Sequence, residues 1–263
     1  IYLLLLCFFA VFPLLWIIIS SIKGKGELTG NPTAFLPKVV TLEYYRHVIF
    51  DLGFIVNIRN SVIISLATTG IAITISSLAA YGIVRFFPKI GTVLSKVLVT
   101  TYIFPPILLA IPYSIVMAKL GLTNTRIGLV LVYLSFSIPY AVWLLVGFFK
   151  TVPIGIEEAA KIDGANKIQV FMQVVIPLVA PGIVATAIYT FINVWNEFLY
   201  SLILINDTSK MTVAVALRSL NGSEILDWGD MMAASTLVVV PSIIFFCLIQ
   251  NKIAGGLSEG AAK

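Results

Sequence analysis

The sequence predicts an all-α membrane protein with six transmembrane helices. Two observations carry this prediction. Of the 263 residues, 59% are hydrophobic and only 11% are charged, whereas soluble domains carry about 25% charged residues. The apolar residues also gather in six charge-free windows that are long enough to cross a bilayer, which takes about 20 residues in a helix. Because a bilayer offers no water to an exposed backbone, such windows favour a helical bundle over a sheet.

The composition excludes several classes of protein. So few charged residues do not suit a water-soluble enzyme or a disordered chain. The net charge is +5, but the 17 Lys and Arg residues are dispersed, so we expect no nucleic-acid partner and some positive charge beside lipid headgroups. Cys7 and Cys247 lie in apolar windows and His47 is the single histidine, so no disulfide, metal site or catalytic residue is predicted.

A single transmembrane domain is predicted for residues 1–263. Its six spans lie at about 1–22, 60–84, 97–118, 127–149, 172–205 and 231–251. The first span has no basic start and no small-residue cleavage site, which distinguishes it from a signal peptide. The chain begins at Ile1 inside that span without a methionine, so we expect native residues to precede it.

Prolines inside the spans predict kinks, because proline removes a helix hydrogen bond. Pro105, Pro106 and Pro112 fall in the third span, where a bend suits the gating of a pathway. In the other spans the prolines indicate curvature of the bundle: Pro139, Pro181 and Pro241.

The distribution of Lys and Arg predicts the orientation of the chain. The loops after the first, third and fifth spans carry nine basic residues. The loops after the second and fourth spans, with the tail, carry eight at a higher density. Because cytoplasmic loops hold the excess of positive charge, we expect the denser group and both termini to lie in the cytoplasm.

Between the fourth and fifth spans, residues 151–175 contain a segment with the pattern of a short helix at about 155–166. Acidic residues stand at its start and lysines towards its end, as the helix dipole favours. Ala159, Ala160 and Gly164 offer a surface for close packing. The residues alone leave two interpretations open: an amphipathic helix in the headgroup region, or a helix that docks a cytoplasmic partner.

The same segment resembles the EAA motif of binding-protein-dependent ABC importer permeases. That motif reads Glu-Ala-Ala, three residues, Gly, nine residues, Ile, one residue, Leu-Pro. Here Glu158-Ala159-Ala160 is followed at the same spacing by Gly164 and by Val174-Val175-Ile176-Pro177, so that Val and Ile replace Ile and Leu. The stretches Glu158–Ala165, Asn193–Phe198 and Ala254–Gly260 resemble the carbohydrate-transporting branch, in particular the second permease of the maltose-transporter type (MalG-like subunits).

The resemblance implies the fold of a type I ABC importer permease, with a short cytoplasmic coupling helix between the fourth and fifth spans. In that family the EAA helix inserts into a cleft on a cytoplasmic ATPase, whose closure around ATP moves the helix and reorients the permease pair. Glu158 would pair with a basic group on the ATPase, and Gly164 would allow close approach. The residues of this contact would be Glu157, Glu158, Ala159, Ala160, Asp163, Gly164 and Ala165, with Pro177 at the entry to the fifth span.

The chain has no Gly-x-x-x-x-Gly-Lys-[Ser/Thr] pattern with which to cradle nucleotide phosphates. ATP and magnesium are therefore expected on a separate ATPase subunit, and no cofactor is expected on this chain.

A polar cluster near residue 197 is the candidate for a solute pathway. Charged groups in a bilayer are costly unless they face a cavity or a partner, and Glu197 continues a long apolar stretch. The cluster offers hydrogen-bonding groups and aromatic faces, which together bind sugars, and consists of Asn193, Trp195, Asn196, Glu197 and Tyr200. An interface with a second permease, or the headgroup layer, is the alternative location. Two tyrosines are further candidates for the same path: Tyr133 and Tyr140.

The leading hypothesis is a permease subunit of an ABC importer for a mono- or oligosaccharide, in a bacterial or archaeal inner membrane, and not an enzyme. The expected partners are a second homologous permease in a heterodimer, two ATPase subunits, an extracytoplasmic solute-binding protein and membrane lipid. The alternative solute is glycerol phosphate, a polyol or another small polar molecule. An intramembrane protease would need paired catalytic groups at membrane depth, and a secondary transporter would show an inverted repeat.

Overall fold

The structure, a computed structural model, describes residues 2–31, 33–220 and 227–260. Within these ranges the chain is helical, and an isolated bridge between Lys23 and Val40 is the only strand-like pairing. The all-α prediction is confirmed for this part of the chain. In chain order the helices are α1 Tyr2–Ser21, α2 Glu27–Gly30, α3 Glu43–Arg46, α4 Phe54–Arg85, α5 Pro88–Ile103, α6 Pro106–Lys119, α7 Arg126–Thr151, α8 Ile154–Ile162, α9 Lys167–Gln169, α10 Ile176–Trp195, α11 Leu199–Leu204, α12 Val213–Leu220 and α13 Trp228–Gly260, with π-helical turns at His47–Asp51 and Val170–Val175.

Four described helices are long and apolar enough to cross a membrane: Phe54–Arg85, Arg126–Thr151, Lys167–Trp195 and Trp228–Cys247. Two shorter helices, Leu5–Ser21 and Pro106–Lys119, are also apolar. The sequence predicts six spans, two more than the number of described helices that are long and apolar enough to cross a membrane. Helix α13 continues past its apolar part, so the tail expected after the sixth span is helical as far as Gly260.

The chain divides into two compact units, residues 1–62 with 205–244 and residues 63–204 with 245–263. The organisation as one transmembrane domain stays a prediction. In the first unit, Lys23 is buried, and its ammonium donates to the Ala34 carbonyl at 2.6 Å and lies 5.0 Å from the centre of the Trp16 ring. These partners compensate for the burial of its charge.

Hydrogen bonds tie the start of α4 to the segment before α12 within the first unit. The Asn57 amide donates to the carbonyls of Thr208 and Met211, at 2.9 and 3.2 Å. The Asn60 amide donates to the carbonyls of Ser209 and Met211, at 2.9 and 3.1 Å. Because these asparagines are buried and their partners are backbone groups, they hold an irregular segment in a defined position.

A carboxylate organises the loop after α1. Glu27 accepts the backbone N–H groups of Lys38 and Val39, each at 2.9 Å. These hydrogen bonds to the ionised form lower the pKa of Glu27 below its usual range. In the same unit His47 contacts Asp230 at 2.8 Å between Nδ1 and Oδ2, a partner 183 positions away that the sequence did not indicate.

The second unit is built around one hydrophobic core. It joins α4, α7, the π-helical turn Val170–Val175 and the first part of α10. Helices α5 and α10 both pack on α7, and α11 packs on α6 and α7. The buried members of the core are Ala80, Ile83, Val142, Leu145, Val146, Phe149, Val152, Val170, Phe171, Val175 and Val179.

The window predicted as the third span, 97–118, holds two helices rather than one. Helix α5 ends at Ile103, Phe104 is extended with ψ 129°, and α6 begins at Pro106. Pro105 and Pro106 cause the break, because neither has an N–H for a helical bond and each disfavours the helical conformation of the residue before it. Pro112 is accommodated inside α6.

The fifth predicted span, 172–205, is also interrupted. Helix α10 ends at Trp195, and α11 begins at Leu199. Glu197 causes the interruption, because its carboxylate accepts the backbone N–H groups of Tyr200 at 2.9 Å and Ser201 at 3.3 Å, in the manner of a helix cap. The π-helical turn Val170–Val175 lies just before Pro177, whose ring and missing N–H disturb the regular bonding there.

The segment predicted as a helix at 155–166 is a shorter helix, Ile154–Ile162. Gly164 ends it with a φ of +91°, a left-handed conformation that glycine adopts without strain. The N–H of Ala165 donates to the Ala160 carbonyl at 3.0 Å, as in a Schellman motif. Asn166 then starts α9 with a capping box, in which its side chain accepts from Gln169 N and its own N–H donates to the Gln169 side chain.

Candidate functional site

A cavity of about 450 Å³ lies in the second unit, alongside α7, where α5 gives way to α6 and α10 to α11. Both helix interruptions described above therefore border the same space. Its volume falls in the range of small-molecule sites. The lining residues are Thr101, Phe104, Pro106, Leu109, Tyr113, Ser135, Phe136, Ser137, Pro139, Tyr140, Tyr189, Thr190, Asn193, Glu197 and Tyr200.

Aromatic rings form much of the wall of this cavity. Tyr140 and Tyr189 stack with their ring centres 4.1 Å apart and their planes 25° apart. Tyr200 stacks on Phe136 at 6.0 Å and meets Tyr113 edge to face at 5.4 Å. Four of these five rings carry a hydroxyl, so the wall combines flat apolar faces with hydrogen-bonding groups.

The hydroxyl groups of the wall are held by defined partners. The Tyr200 hydroxyl donates to the Pro106 carbonyl at 2.9 Å, which ties α11 to the first residue of α6. The hydroxyls of Tyr113 and Ser135 share a hydrogen bond at 2.6 Å. Each of these oxygens retains further hydrogen-bonding capacity towards a ligand.

Glu197 is the one charged residue in the described lining. Its Oε2 accepts the hydroxyl of Tyr133 at 2.6 Å, and its two oxygens accept the backbone N–H groups of Tyr200 and Ser201. Tyr133 is buried and lies behind the carboxylate rather than in the lining. Three hydrogen bonds thus compensate for the burial of this charge, one from the Tyr133 hydroxyl and two from backbone N–H groups.

The structure divides the predicted pathway cluster. Asn193, Glu197 and Tyr200 line the cavity. Two members lie outside the lining. Trp195 is buried and stacks on Phe191 with the ring centres 5.9 Å apart, and Asn196 is exposed elsewhere on the surface. The role of all five in solute transport stays a prediction.

Several lining residues were missed in the sequence. Tyr189 lies one helical turn before Asn193 and shares its face of α10, so its spacing of four residues from a predicted member of the cluster was the signal for it. Of the two further tyrosine candidates, Tyr140 lines the cavity and Tyr133 supports Glu197. Tyr113 and Ser135 gave no signal, because hydroxyl groups are common in the apolar helices of this chain.

The second candidate site is the surface of α8 and the turn after it. Glu158, Ala159, Asp163 and Gly164 are exposed, whereas Ala160 and Ala165 are half-buried against the core. Ile162 is 86% exposed, so this surface also presents a large apolar side chain. Pro177 is exposed in the first turn of α10.

Glu157 differs from its neighbour Glu158. Its side chain is 2% exposed and pairs with Arg85, and its second oxygen accepts the Tyr81 hydroxyl at 2.8 Å. Consecutive residues point about 100° apart around a helix, so one glutamate faces the core while the next faces outwards. The predicted contact of both glutamates with an ATPase stays a prediction.

Known proteins are similar to this chain over most of its length. The family model described as "Binding-protein-dependent transport system inner membrane component" matches residues 72–258. The trehalose transport system permease protein SugB of Mycobacterium tuberculosis is 35% identical over 258 residues, covering 97% of this chain and 93% of that protein. The trehalose/maltose transport system permease protein MalG of Thermococcus litoralis is 33% identical over 262 residues, covering 98% of this chain and 94% of that protein.

A solved structure shares the fold. The crystal structure of a bacterial ABC transporter involved in the import of the acidic polysaccharide alginate superposes with a TM-score of 0.82 at 21% identity, covering 95% of this chain and 93% of that chain. The family model, together with the four long apolar helices, identifies a multi-pass membrane protein. The chain therefore belongs to the family of inner membrane components of binding-protein-dependent transport systems.

Proposed function

We propose that this chain is one of two permease subunits of an ATP-driven importer of a neutral mono- or oligosaccharide. It forms half of the solute pathway together with a second homologous permease. Two ATPase subunits bind and hydrolyse ATP with magnesium, and an extracytoplasmic binding protein delivers the solute. The cavity beside α7 carries the proposal, and the similarity to permeases named for trehalose and maltose transport supports the solute class.

The chemistry of the cavity favours a neutral sugar over glycerol phosphate. Proteins recognise phosphate with Arg or Lys, and the described lining contains neither. Its one charged group, Glu197, is negative and disfavours an anion nearby. Stacked tyrosine rings and hydroxyl groups instead match the apolar C–H faces and hydroxyl groups of a sugar ring.

Six transmembrane spans are proposed from the helices described above. Helix α1 has 20 residues, and most of its large apolar side chains are exposed, as expected for a helix in contact with lipid. Helices α5 and α6 together form a third, interrupted span. Non-helical backbone at membrane depth is tolerated where it lines a cavity, which is where Phe104 and Pro106 lie.

We further propose that α8 is the coupling helix and lies in the cytoplasm with both chain termini. Its exposed Glu158, the small Ala159 and the projecting Ile162 offer charge, close approach and an apolar anchor to a cytoplasmic ATPase. A photo-reactive cross-linker at Ile162→Cys tests this proposal. It should capture the ATPase in the assembled complex, whereas capture of lipid alone would support the headgroup interpretation.

Transport assays test the proposed pathway. The complex, reconstituted in proteoliposomes with its binding protein, should take up a labelled neutral disaccharide and not glycerol 3-phosphate. Asn193→Ala and Asn196→Ala form a matched pair, because each asparagine donates to the carbonyl four residues earlier, at 2.8 and 2.9 Å, and only Asn193 lines the cavity. Uptake should fall more with Asn193→Ala. Equal effects, or a preference for the anionic solute, would contradict the proposal.

A further inference from the structure

A buried ion pair joins α8 to the last turn of α4. The Arg85 Nε donates to Glu157 Oε1, and the Arg85 Nη2 donates to the Val152 carbonyl at 2.7 Å. The Tyr81 hydroxyl donates to Glu157 Oε2 at 2.8 Å. The side chains of Arg85 and Glu157 are only 12% and 2% exposed. One arginine therefore contacts both the end of α7, where Val152 is the C-cap residue, and the core-facing side of α8.

The Glu157 side of this pair lies among apolar residues. Tyr81 packs on Phe171 at 4.9 Å and on Phe149 at 6.0 Å, and Val152 is a buried member of the core. Glu157 is only 2% exposed, so its charge depends on Arg85 and on the Tyr81 hydroxyl, and the Arg85 guanidinium has a further partner in the Val152 carbonyl. Charge-assisted hydrogen bonds are directional, which fixes both the distance and the angle between the helices.

Apolar contacts alone would hold α8 less specifically. Ala160 is the member of α8 that packs against the core, and alanine has a small side chain that permits sliding or rotation. The paired glutamate and arginine resist both movements, because two hydrogen bonds to Glu157 and one to Val152 cannot be kept in a shifted register. A single polar pair is known to fix the register of packed helices in this way.

We infer that Arg85 and Glu157 are positioning residues that transmit movement of α8 to α4. This inference rests on the proposed function, in which a partner ATPase moves α8. Helix α4 has 32 residues and is about 48 Å long, so a displacement at its Arg85 end reaches far along the helix. Loss of the pair leaves the exposed Glu158 and Ile162 on the outward face of α8 and loosens the connection between that face and the transmembrane helices.

The test measures coupling in the reconstituted complex. Arg85→Met combined with Glu157→Met removes both charges at once, which avoids leaving one of them buried and unpaired. In the assembled complex, the number of ATP molecules hydrolysed per sugar transported should rise by about 2- to 30-fold, the range of coupling changes seen for linking residues. Arg85→Lys, which leaves the predicted contact residue Glu157 in place, should copurify with the ATPase as the wild-type chain does. Lys25→Met with Glu43→Met is the matched control, since it removes an exposed ion pair of the first unit.

The results separate the inference from the proposed function. If the wild-type chain does not assemble with an ATPase, the proposed function fails. If the wild-type complex assembles and transports, but the double variant has the wild-type ratio of ATP to sugar, the inference is overturned. Arg85→Lys serves if the double variant is not recovered, because lysine keeps the charge but cannot contact Glu157 and Val152 in the same forked geometry. The ratio should rise with Arg85→Lys as well, and an unchanged ratio overturns the inference.

Discussion

Gly164 offers a direct test of how the turn after α8 is built. Its φ is +91°, and a Cβ added there would meet nothing within 4 Å. The effect of Gly164→Ala therefore comes from the backbone alone. The left-handed conformation costs a residue with a Cβ roughly 1–2 kcal/mol, which corresponds to an increase of about 5- to 30-fold in the equilibrium for local opening.

Hydrogen exchange of the purified chain in detergent, without the ATPase, measures this opening. The Asp163 and Ala165 amides donate to the Ala159 and Ala160 carbonyls, each at 3.0 Å, so their exchange reports on the end of the helix. We expect Gly164→Ala to accelerate exchange by the factor given above. Gly164→Asn should have a smaller effect, because asparagine tolerates the left-handed conformation better than alanine does.

Gly155→Ala is the matched control. Gly155 lies inside α8, has no positive φ, and likewise has nothing within 4 Å of an added Cβ. Alanine should stabilise the helix there by about 0.5–1 kcal/mol and slow the exchange. If Gly164→Ala also slowed the exchange, the left-handed turn would not be what ends α8, and the account of this segment would be refuted.

Three further outcomes follow from the described contacts. Tyr133→Phe removes a hydrogen-bond donor to the Glu197 carboxylate and should lower the free energy of unfolding by about 1.5–3 kcal/mol. Tyr113→Phe should lower it by about 1 kcal/mol, because its partner Ser135 is neutral. Thermal unfolding in detergent compares the two variants. Trp195→Phe should preserve sugar uptake, because Trp195 packs on Phe191 outside the cavity lining. A loss of uptake as large as that with Asn193→Ala would show that Trp195 belongs to the solute pathway. The pKa of Glu27 is lower in the folded chain than its usual value, so its contribution to the stability of the loop is complete above the usual glutamate pKa and is lost as the pH falls through the pKa of the folded state. The protection of the Lys38 and Val39 amides from hydrogen exchange should therefore decrease on acidification.

The sequence predicts those features that depend on local composition. Long apolar windows located the helices Phe54–Arg85 and Arg126–Thr151, because a helix in lipid needs an uninterrupted apolar stretch of known length. The helical character of the EAA segment followed from its charges and small residues, although the helix ends four residues before the predicted boundary. Gly164 carried the information for that end, since glycine after a helix is a stop signal.

Breaks within the helices were harder to predict. Pro105 and Pro106 indicated a kink, yet whether two adjacent prolines bend a helix or end it depends on which neighbours accept the freed carbonyls. The break after Trp195 gave no local signal, because Glu197 acts through its side chain on the backbone of the following turn. The predicted polar cluster nevertheless includes Asn193 and Tyr200, which line the same cavity although the helix is interrupted between them.

Pairings between distant residues were beyond prediction from the sequence. Arg85 directly follows the predicted second span, and the sequence analysis predicts a contact of Glu157 with the ATPase. Their contact across 72 positions depends on how α4, α7 and α8 pack, which no local pattern encodes. The contact between His47 and Asp230, 183 positions apart, is missing from the sequence analysis for the same reason.

The stability and position of α8 depend on its buried side as well as on its exposed motif. The helix has nine residues, and isolated helices shorter than about 12–15 residues are marginal in water. It therefore depends on its attachments: Glu157 to Arg85 and Tyr81 on one side, and the turn at Gly164 at its end. The EAA motif consists of the outward-facing Glu158 and the small residues Ala159 and Ala160. Glu157 lies just before this motif, and its ion pair with Arg85 holds the outward surface of α8 in the fixed position that a partner needs for recognition.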